Sequence, residues 1–498
     1  MDAILPATPR PLARLLLALT LALPALSWAD SSSGKEEKER PAFQPWHTAV
    51  FNEEFRAGAK EKTLADYLAL EDRLFAELDE RVYQKVEARE KSTVNRYWAG
   101  SLADPRVRKP DWSRTQILKA PDAKNPRGGV LLVHGLSDSP YIMRGIAEHL
   151  QKQGWYVVVL RLPGHGTAPS GLLKVKWQDW AAAVRLAVRD VRSTIGAEKP
   201  LVLGGFSTGG ALCVEYALAQ RQGEELPKPT QLLLFSPAIG VDPLARLAGT
   251  VDMLSGIPGL SRLGWETRMP EYDPYKYNSF PLNAGSQIWK LTQRIDDQLS
   301  ELQEKGGATG LPRILAFQSA ADATVSTLAV VRALYGRLPN EGHRLVLFDA
   351  NRLGNERQVL KPDLFAGRQR LLDKPALPFD LEIVTNEKDD EPAVSTWIRP
   401  AGSTEVQHIP TSILWPRDLF ALSHVAIPVP EDDPVYGATA PARPNKQIWL
   451  GKAALYGERD MLLIPETALL RLRYNPFFPW MMAQVDSALA PKDQSAGQ

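Results

Sequence analysis

A serine, a histidine and an acidic side chain can together break an acyl bond, and one serine of this chain stands where such chemistry is built. In Leu201-Val202-Leu203-Gly204-Gly205-Phe206-Ser207-Thr208-Gly209-Gly210 an apolar run reads as a short buried strand and stops at a serine set between glycines. Ala211 to Ala219 then reads as a helix. A chain that passes from strand to helix this abruptly holds the serine in a strained conformation, with its Oγ lifted clear of the sheet. Side chains at Gly205 and Gly209 would strike the neighbouring strand and helix, so glycine is favoured at both. A serine hydroxyl becomes a useful nucleophile only when a base takes its proton, so the site needs an imidazole. Seven histidines offer one: His47, His134, His149, His165, His343, His408 and His424. The single cysteine, Cys213, lies on the helix after the turn and reads as a structural thiol. One cysteine excludes an intramolecular disulfide framework and any multi-cysteine metal site.

The surrounding pattern shows what must position these groups. Gly129–Val133, Trp155–Leu160, Leu201–Phe206, Gln231–Phe235, Arg313–Phe317 and Arg344–Phe348 are strand-like runs, mostly apolar. Helical stretches over about Tyr141–Gln153, Trp177–Thr194 and Ala211–Ala219 separate the early ones. Buried apolar strands alternating with helices predict an α/β fold, a mostly parallel sheet covered on both faces. In such sheets the reactive groups collect in loops beyond the carboxyl ends of the strands.

Two stretches interrupt the alternation. Residues 238–311 are rich in proline and aromatic residues and carry a helix near Ser286–Leu302; they predict a cap or lid. Residues 351–420 hold charge runs and the β-like pieces Leu381–Thr385 and Val394–Ile398, a second insertion. Before the sheet, Leu64, Tyr67, Leu68, Leu74, Phe75, Leu78 and Val82 recur at helical steps and predict a packing helix over Leu64–Val86, with charged residues on its other face. The organisation is thus a leader and helical extension over 30–110, core over 111–237 and 312–350, the two insertions, and a C-terminal part over 421–498.

Composition bounds the partners. Hydrophobic content of 44% and charged content of 23% suit a globular protein, and 59 basic against 58 acidic residues leave a net charge of +1. No field of one sign is available to gather nucleic acid. At the N-terminus Arg10 and Arg14 precede the apolar run Leu15–Leu26, and Ser27-Trp28-Ala29 supplies small residues for cleavage. Residues 1–29 therefore read as an export signal, too short to span a bilayer, and place the mature chain in a bacterial periplasm or the medium. Peripheral association with a membrane stays open.

His134-Gly135, Pro163-Gly164-His165-Gly166, the Gly205-Phe206-Ser207-Thr208-Gly209 turn, Asp322 and His424 together resemble the α/β-hydrolase superfamily, and within it the monoacylglycerol lipase and serine-aminopeptidase-like branch. The resemblance covers about 129–237 and 312–330. It implies the order nucleophile, acid, histidine along the chain. His47, His134, His149 and His165 precede Ser207, and His343 opens a strand, at the wrong end of the sheet. His424 is then the expected base, with His408 the rival. The expected acid is Asp322, just past the Arg313–Phe317 run, with Asp242 and Asp349 as alternatives. The resemblance also implies an oxyanion hole made by the backbone N–H groups of Leu136 and Thr208, with His134 structural. The expected function is hydrolysis of a carboxylic ester, lipase- or esterase-like, on a small-molecule or lipid-like substrate, with no metal or organic cofactor. An acyltransferase or a peptidase on the same three groups, or an inactive binding protein of this fold, are the alternatives. The chain departs from the pattern in its long N-terminal extension and in the roughly 75 residues between the Arg344–Phe348 run and His424.

Overall fold

The computed structural model describes residues 42–240, 264–322, 324–353, 363–417, 419, 421–442, 447–451 and 472–491. The expected export signal, Asp242 and the first part of the expected lid lie outside them. In chain order the main elements are α1 (Leu64–Arg81), β1 (Gln116–Leu118), β2 (Gly129–Val133), α2 (Arg144–Lys152), β3 (Tyr156–Leu160), α3 (Trp177–Ile195), β4 (Leu201–Phe206), α4 (Thr208–Arg221) and β5 (Gln231–Phe235). There follow β6 (Trp265–Thr267), β7 (Phe280–Pro281), α5 (Leu282–Glu304), β8 (Arg313–Ser319), α6 (Thr327–Ala333), β9 (Arg344–Phe348), α7 (Asp363–Leu372), β10 (Asp380–Asn386), β11 (Ala393–Arg399), β12 (Gln407–Leu414) and α8 (Phe478–Ala488).

One ten-stranded sheet runs in the order β1-β3-β2-β4-β5-β8-β9-β10-β11-β12. From β3 to β10 every neighbour is parallel, while β1, β11 and β12 pair antiparallel at the two ends. Side chains of β2 and β4 alternate between two cores, as the strand repeat requires. Leu131, Val133, Leu201 and Leu203 join the face carrying α3, α4 and α5. Val130, Leu132, Val202 and Phe206 join the face carrying α2 and α8. Strand order reverses around β2: β3 lies on one side and β4 on the other. A crevice opens at such a switch point, beyond the carboxyl ends of β2 and β4.

Two stretches are placed differently from the sequence expectation. Within the expected cap, α5 packs on α4: Ile288, Leu291, Ile295, Leu299 and Leu302 bury into the same core as that helix. Its apolar stripe recurs every three to four residues along six turns, the signature of a helix roofed onto a core. The stretch 351–420 is no detached insertion. It continues the sheet through β10, β11 and β12, so the last strand ends at Leu414 and the supposed gap before His424 shrinks to a short connection.

The N-terminal helix begins at Thr63, whose hydroxyl accepts from Asp66 N–H while the Asp66 carboxylate accepts from Thr63 N–H. Its buried face includes Leu64, Tyr67, Leu70, Leu74, Phe75 and Leu78, and also Glu71, which the reading by hydrophobic stripe had left on the solvent side.

Candidate active site

Ser207 terminates β4 with φ 51° and ψ −113°, a backbone conformation that few non-glycine residues adopt. Holding a residue there costs about 1–3 kcal/mol and needs surrounding structure to enforce it. Here the enforcement is visible: Ser207 N–H donates to Phe235 O at 2.9 Å, and Ser207 O accepts from Ala238 N–H at 2.9 Å. A Cβ on Gly205 would lie 2.2 Å from the Gly209 carbonyl carbon, and one on Gly209 would lie 2.1 Å from Val133 O. The turn therefore closes only because both positions lack a side chain.

His424 and Asp322 are brought together. Asp322 follows β8, and its Oδ2 lies 2.7 Å from His424 Nδ1. The same oxygen accepts from Gln318 Nε2 at 2.9 Å, while Oδ1 accepts the N–H groups of Thr324 and Val325 at 2.8 and 2.9 Å. Every Asp322 contact is a donation to it, which assigns the His424 proton to Nδ1 and leaves Nε2 as an acceptor. The imidazole packs on Phe206, the residue before Ser207, with ring centroids 5.1 Å apart. Among the described residues Ser207 Oγ makes no hydrogen bond to His424; such bonds are commonly long before substrate arrives.

The loop bearing His424 is held by side chains. Ser319 Oγ donates to Leu422 O at 2.7 Å, Ser423 Oγ to Leu472 O at 2.6 Å, and Asn475 Nδ2 to Ile427 O at 3.1 Å. Asn351 Nδ2 fixes the approach to the loop through Leu419 O at 2.7 Å and Pro416 O at 3.1 Å. These residues were missed from sequence. Their one signal is a polar residue at or just past the carboxyl end of an apolar strand, as at Ser319 and Asn351.

The rival groups are placed elsewhere. His408 is exposed on the edge strand β12 and stacks on Trp397 at 4.6 Å. Asp349 is buried and engaged by Arg368 and by Thr385 Oγ1. His343 lies buried at the amino end of β9, where its Nδ1 accepts from Ile314 N–H at 3.3 Å. Burial lowers its pKa.

Leu136 follows β2 and Thr208 opens α4, after the two strands that flank the switch point. Neither N–H has an acceptor among the described residues, and Thr208 N–H sits at the positive end of its helix. His134 is fully buried, with Nδ1 2.8 Å from Gly135 O and Nε2 accepting from Leu162 N–H at 3.0 Å. Burial, reinforced by the nearby Arg161 and Lys276 charges, drives its pKa down to about 3, so the ring stays neutral.

Beside His424 a cavity of about 90 Å3 is lined by Asp138, Ile142, Lys276, Val425, Val429 and Tyr436, among others. Two ion pairs form its wall, Lys276–Asp138 at 2.9 Å and Arg473–Asp273 at 2.7 Å. Among the described residues no group of three or more His, Cys, Asp or Glu side chains could hold a metal ion.

Known proteins share the central part of the chain. The family model described as serine aminopeptidase, S33, matches residues 124–352. A thermostable monoacylglycerol lipase from Bacillus sp. (strain H-257) is 26% identical over 180 residues, which are 36% of this chain and 68% of that protein. The phospholipase YtpA of Bacillus subtilis (strain 168) is 27% identical over 120 residues, 24% of this chain and 44% of that one. A crystal structure of a Paleococcus ferrophilus monoacylglycerol lipase aligns over 47% of this chain and 87% of its own at 18% identity, TM-score 0.36. The parallel sheet with its switch point at β2 and the strained serine after β4 agree with the matched stretch: the chain has an α/β-hydrolase fold and over residues 124–352 is similar to the serine aminopeptidase, S33, family and to monoacylglycerol lipases.

Proposed function

We propose that the protein is an exported hydrolase of carboxylic esters that works through an acyl-enzyme on Ser207, His424 and Asp322. The observation that carries this reading is the Asp322–His424 pair, 2.7 Å apart, packed on the residue that precedes a conformationally strained serine. Ser207 Oγ attacks the ester carbonyl carbon and gives its proton to His424 Nε2. Asp322 holds the Nδ1 proton in place and stabilises the imidazolium. The carbonyl oxygen takes up negative charge facing the N–H groups of Leu136 and Thr208, each such donor being worth roughly 3 kcal/mol to the transition state. Collapse breaks the C–O bond to the alcohol, which leaves with the proton from His424. Water then attacks the acyl-enzyme by the same proton route, releasing the acid and restoring Ser207.

The relatives' names, a monoacylglycerol lipase and a phospholipase, favour a lipid-like ester, and the ion-paired cavity beside His424 suits the polar portion of such a molecule. Among the described residues no helix is long and apolar enough to cross a membrane, and a substrate of this kind would be met outside the cytoplasm, at or near a membrane surface.

Turnover of p-nitrophenyl esters tests the assignment. Ser207→Ala and His424→Ala should each lower kcat by at least about 10⁴, whereas His408→Ala should leave it within about twofold. Undiminished turnover in Ser207→Ala overturns the mechanism. Loss in His408→Ala with retention in His424→Ala moves the base.

A further inference from the structure

The family match begins at residue 124, yet residues 42–123 reach into the ground beneath the site. Arg161, at the end of β3, is fully buried and is paired by two carboxylates that both come from this N-terminal extension. Glu54 accepts from Arg161 Nη1 and Nη2 at 3.2 and 3.1 Å and from Gly164 N–H at 2.8 Å. Glu71, on α1, accepts from Arg161 Nε at 3.0 Å and from Thr115 Oγ1 at 2.7 Å. Tyr67 Oη donates to Arg161 O at 2.8 Å, and Arg161 Nη1 donates on to His165 O at 3.1 Å. The loop 161–165 is therefore fastened at both backbone and side chain by groups the extension supplies.

That loop in turn sets the direction of one oxyanion donor. Leu162 N–H donates to His134 Nε2, which leaves the ring proton on Nδ1, aimed at Gly135 O. Gly135 C=O and Leu136 N–H belong to one planar trans peptide, so fixing the carbonyl fixes the N–H on the opposite side. A tilt of that plane swings the Leu136 N–H away from the developing oxyanion, and misplacement of this order changes rate far more than binding.

We infer that Glu54, Glu71 and Tyr67 are positioning residues for catalysis: the N-terminal extension braces Arg161 and its loop, and through His134 orients the Leu136 N–H of the oxyanion hole. This rests on the ester-hydrolase reading above. All three act through Arg161 and its loop. A brace of this kind explains why two carboxylates are spent on one buried guanidinium beneath a loop that the matched family core already contains.

The full chain and its Glu54→Gln, Glu54→Ala, Glu71→Gln and Tyr67→Phe variants are compared by steady-state ester turnover, by affinity for a trifluoromethyl ketone that forms its oxyanion on Ser207, and by thermal melting. The brace predicts a fall in kcat on the order of 10- to 100-fold with KM within about twofold, and a parallel loss of ketone affinity. Glu54→Gln, which keeps an acceptor for Gly164 N–H, should fall less than Glu54→Ala. Tyr67→Phe removes a single hydrogen bond and keeps the comparison open where Glu71→Gln folds poorly. Unchanged kcat and ketone affinity in folded Glu54→Ala and Tyr67→Phe overturn the inference, and so does a lowered melting temperature with kinetics intact. Failure of the underlying reading shows differently, as wild-type turnover that does not depend on Ser207.

Discussion

The two sides of the site are held by different means. Ser207 and the Leu136 and Thr208 N–H groups belong to the parallel centre of the sheet, where main chain fixes main chain: Ser207 N–H to Phe235 O, Ser207 O to Ala238 N–H, and a Gly209 backbone pressed on Val133 O. His424 belongs to a loop beyond the antiparallel strands β11 and β12, and side chains of Ser319, Ser423 and Asn475 hold it, with Asn351 pinning the segment before it. Backbone contacts tolerate no added atom, whereas a side-chain pin is one bond among several. The Ser207 side should therefore fail abruptly on small changes and the His424 side by degrees.

The largest effect expected at the junction of the two sides is for Asp322→Asn. The amide can present its NH2 to His424 Nδ1 and favour the wrong tautomer, so kcat should fall by about 10⁴ with the fold retained; steady-state kinetics with a melting curve check it. A fall of less than about tenfold would detach Asp322 from His424 function.

Acid should destabilise the fold through imidazoles that are buried without charge, His134 beneath the Ser207 side and His47 in the N-terminal extension. Burial lowers His47 and His134 to about 3, against 6.5 when exposed, with Arg268 adding to the shift at His47. The unfolded chain then binds the extra protons, so the stability from these two groups is complete above pH 6.5 and is lost as pH falls toward 3. Together they should contribute a slope of up to about 2.7 kcal/mol per pH unit inside that window. Denaturant melts between pH 7 and 4 measure it, and His47→Gln should flatten the slope.

Gly209→Ala comes next. Its Cβ would meet the Val133 carbonyl oxygen and carbon at 2.1 and 2.6 Å, atoms that cannot rotate away. A loss of about 3 kcal/mol in stability is expected, with activity lost alongside because the Val133–Leu136 segment must shift. On the other side, Asn351→Ala removes the side-chain donor from the Leu419 carbonyl and leaves Pro416 O with the Leu419 N–H alone. It should cost about 1–3 kcal/mol while catalysis declines only partly. Complete inactivation by Asn351→Ala, with mild effects from Gly209→Ala, would reverse the comparison.

The same division explains what could be read from sequence. Strands β2, β4, β5 and β9 carry unbroken apolar runs because both faces are buried, and their limits were legible within a residue or two. β12 was not: Gln407–Leu414 is exposed over most of its length, carries Pro410, and shows no periodicity that separates it from a loop. β1 is three residues long and pairs only at the sheet's edge. Glu71 was misplaced because its partner, Arg161, lies 90 positions away, and nothing local tells a buried ion pair from a solvated carboxylate. Ser207, Asp322 and His424 could be proposed together because the serine and the acid fell just past strand ends and the histidine followed in the order that the resemblance implied; the Asp322–His424 contact is the part of that proposal the fold displays. The pins that hold His424 could not, since serine and asparagine at strand ends are common and only the fold shows which carbonyl each one meets.

The central claim is that Ser207 is a nucleophile activated by His424. Fluorophosphonate labelling of the intact protein, followed by digestion and mass spectrometry, tests it most directly. The account predicts a single adduct on the peptide containing Ser207, absent in Ser207→Ala, sharply slowed in His424→Ala and unaffected in His408→Ala. An adduct on another residue, or labelling that proceeds at the wild-type rate in His424→Ala, would contradict it.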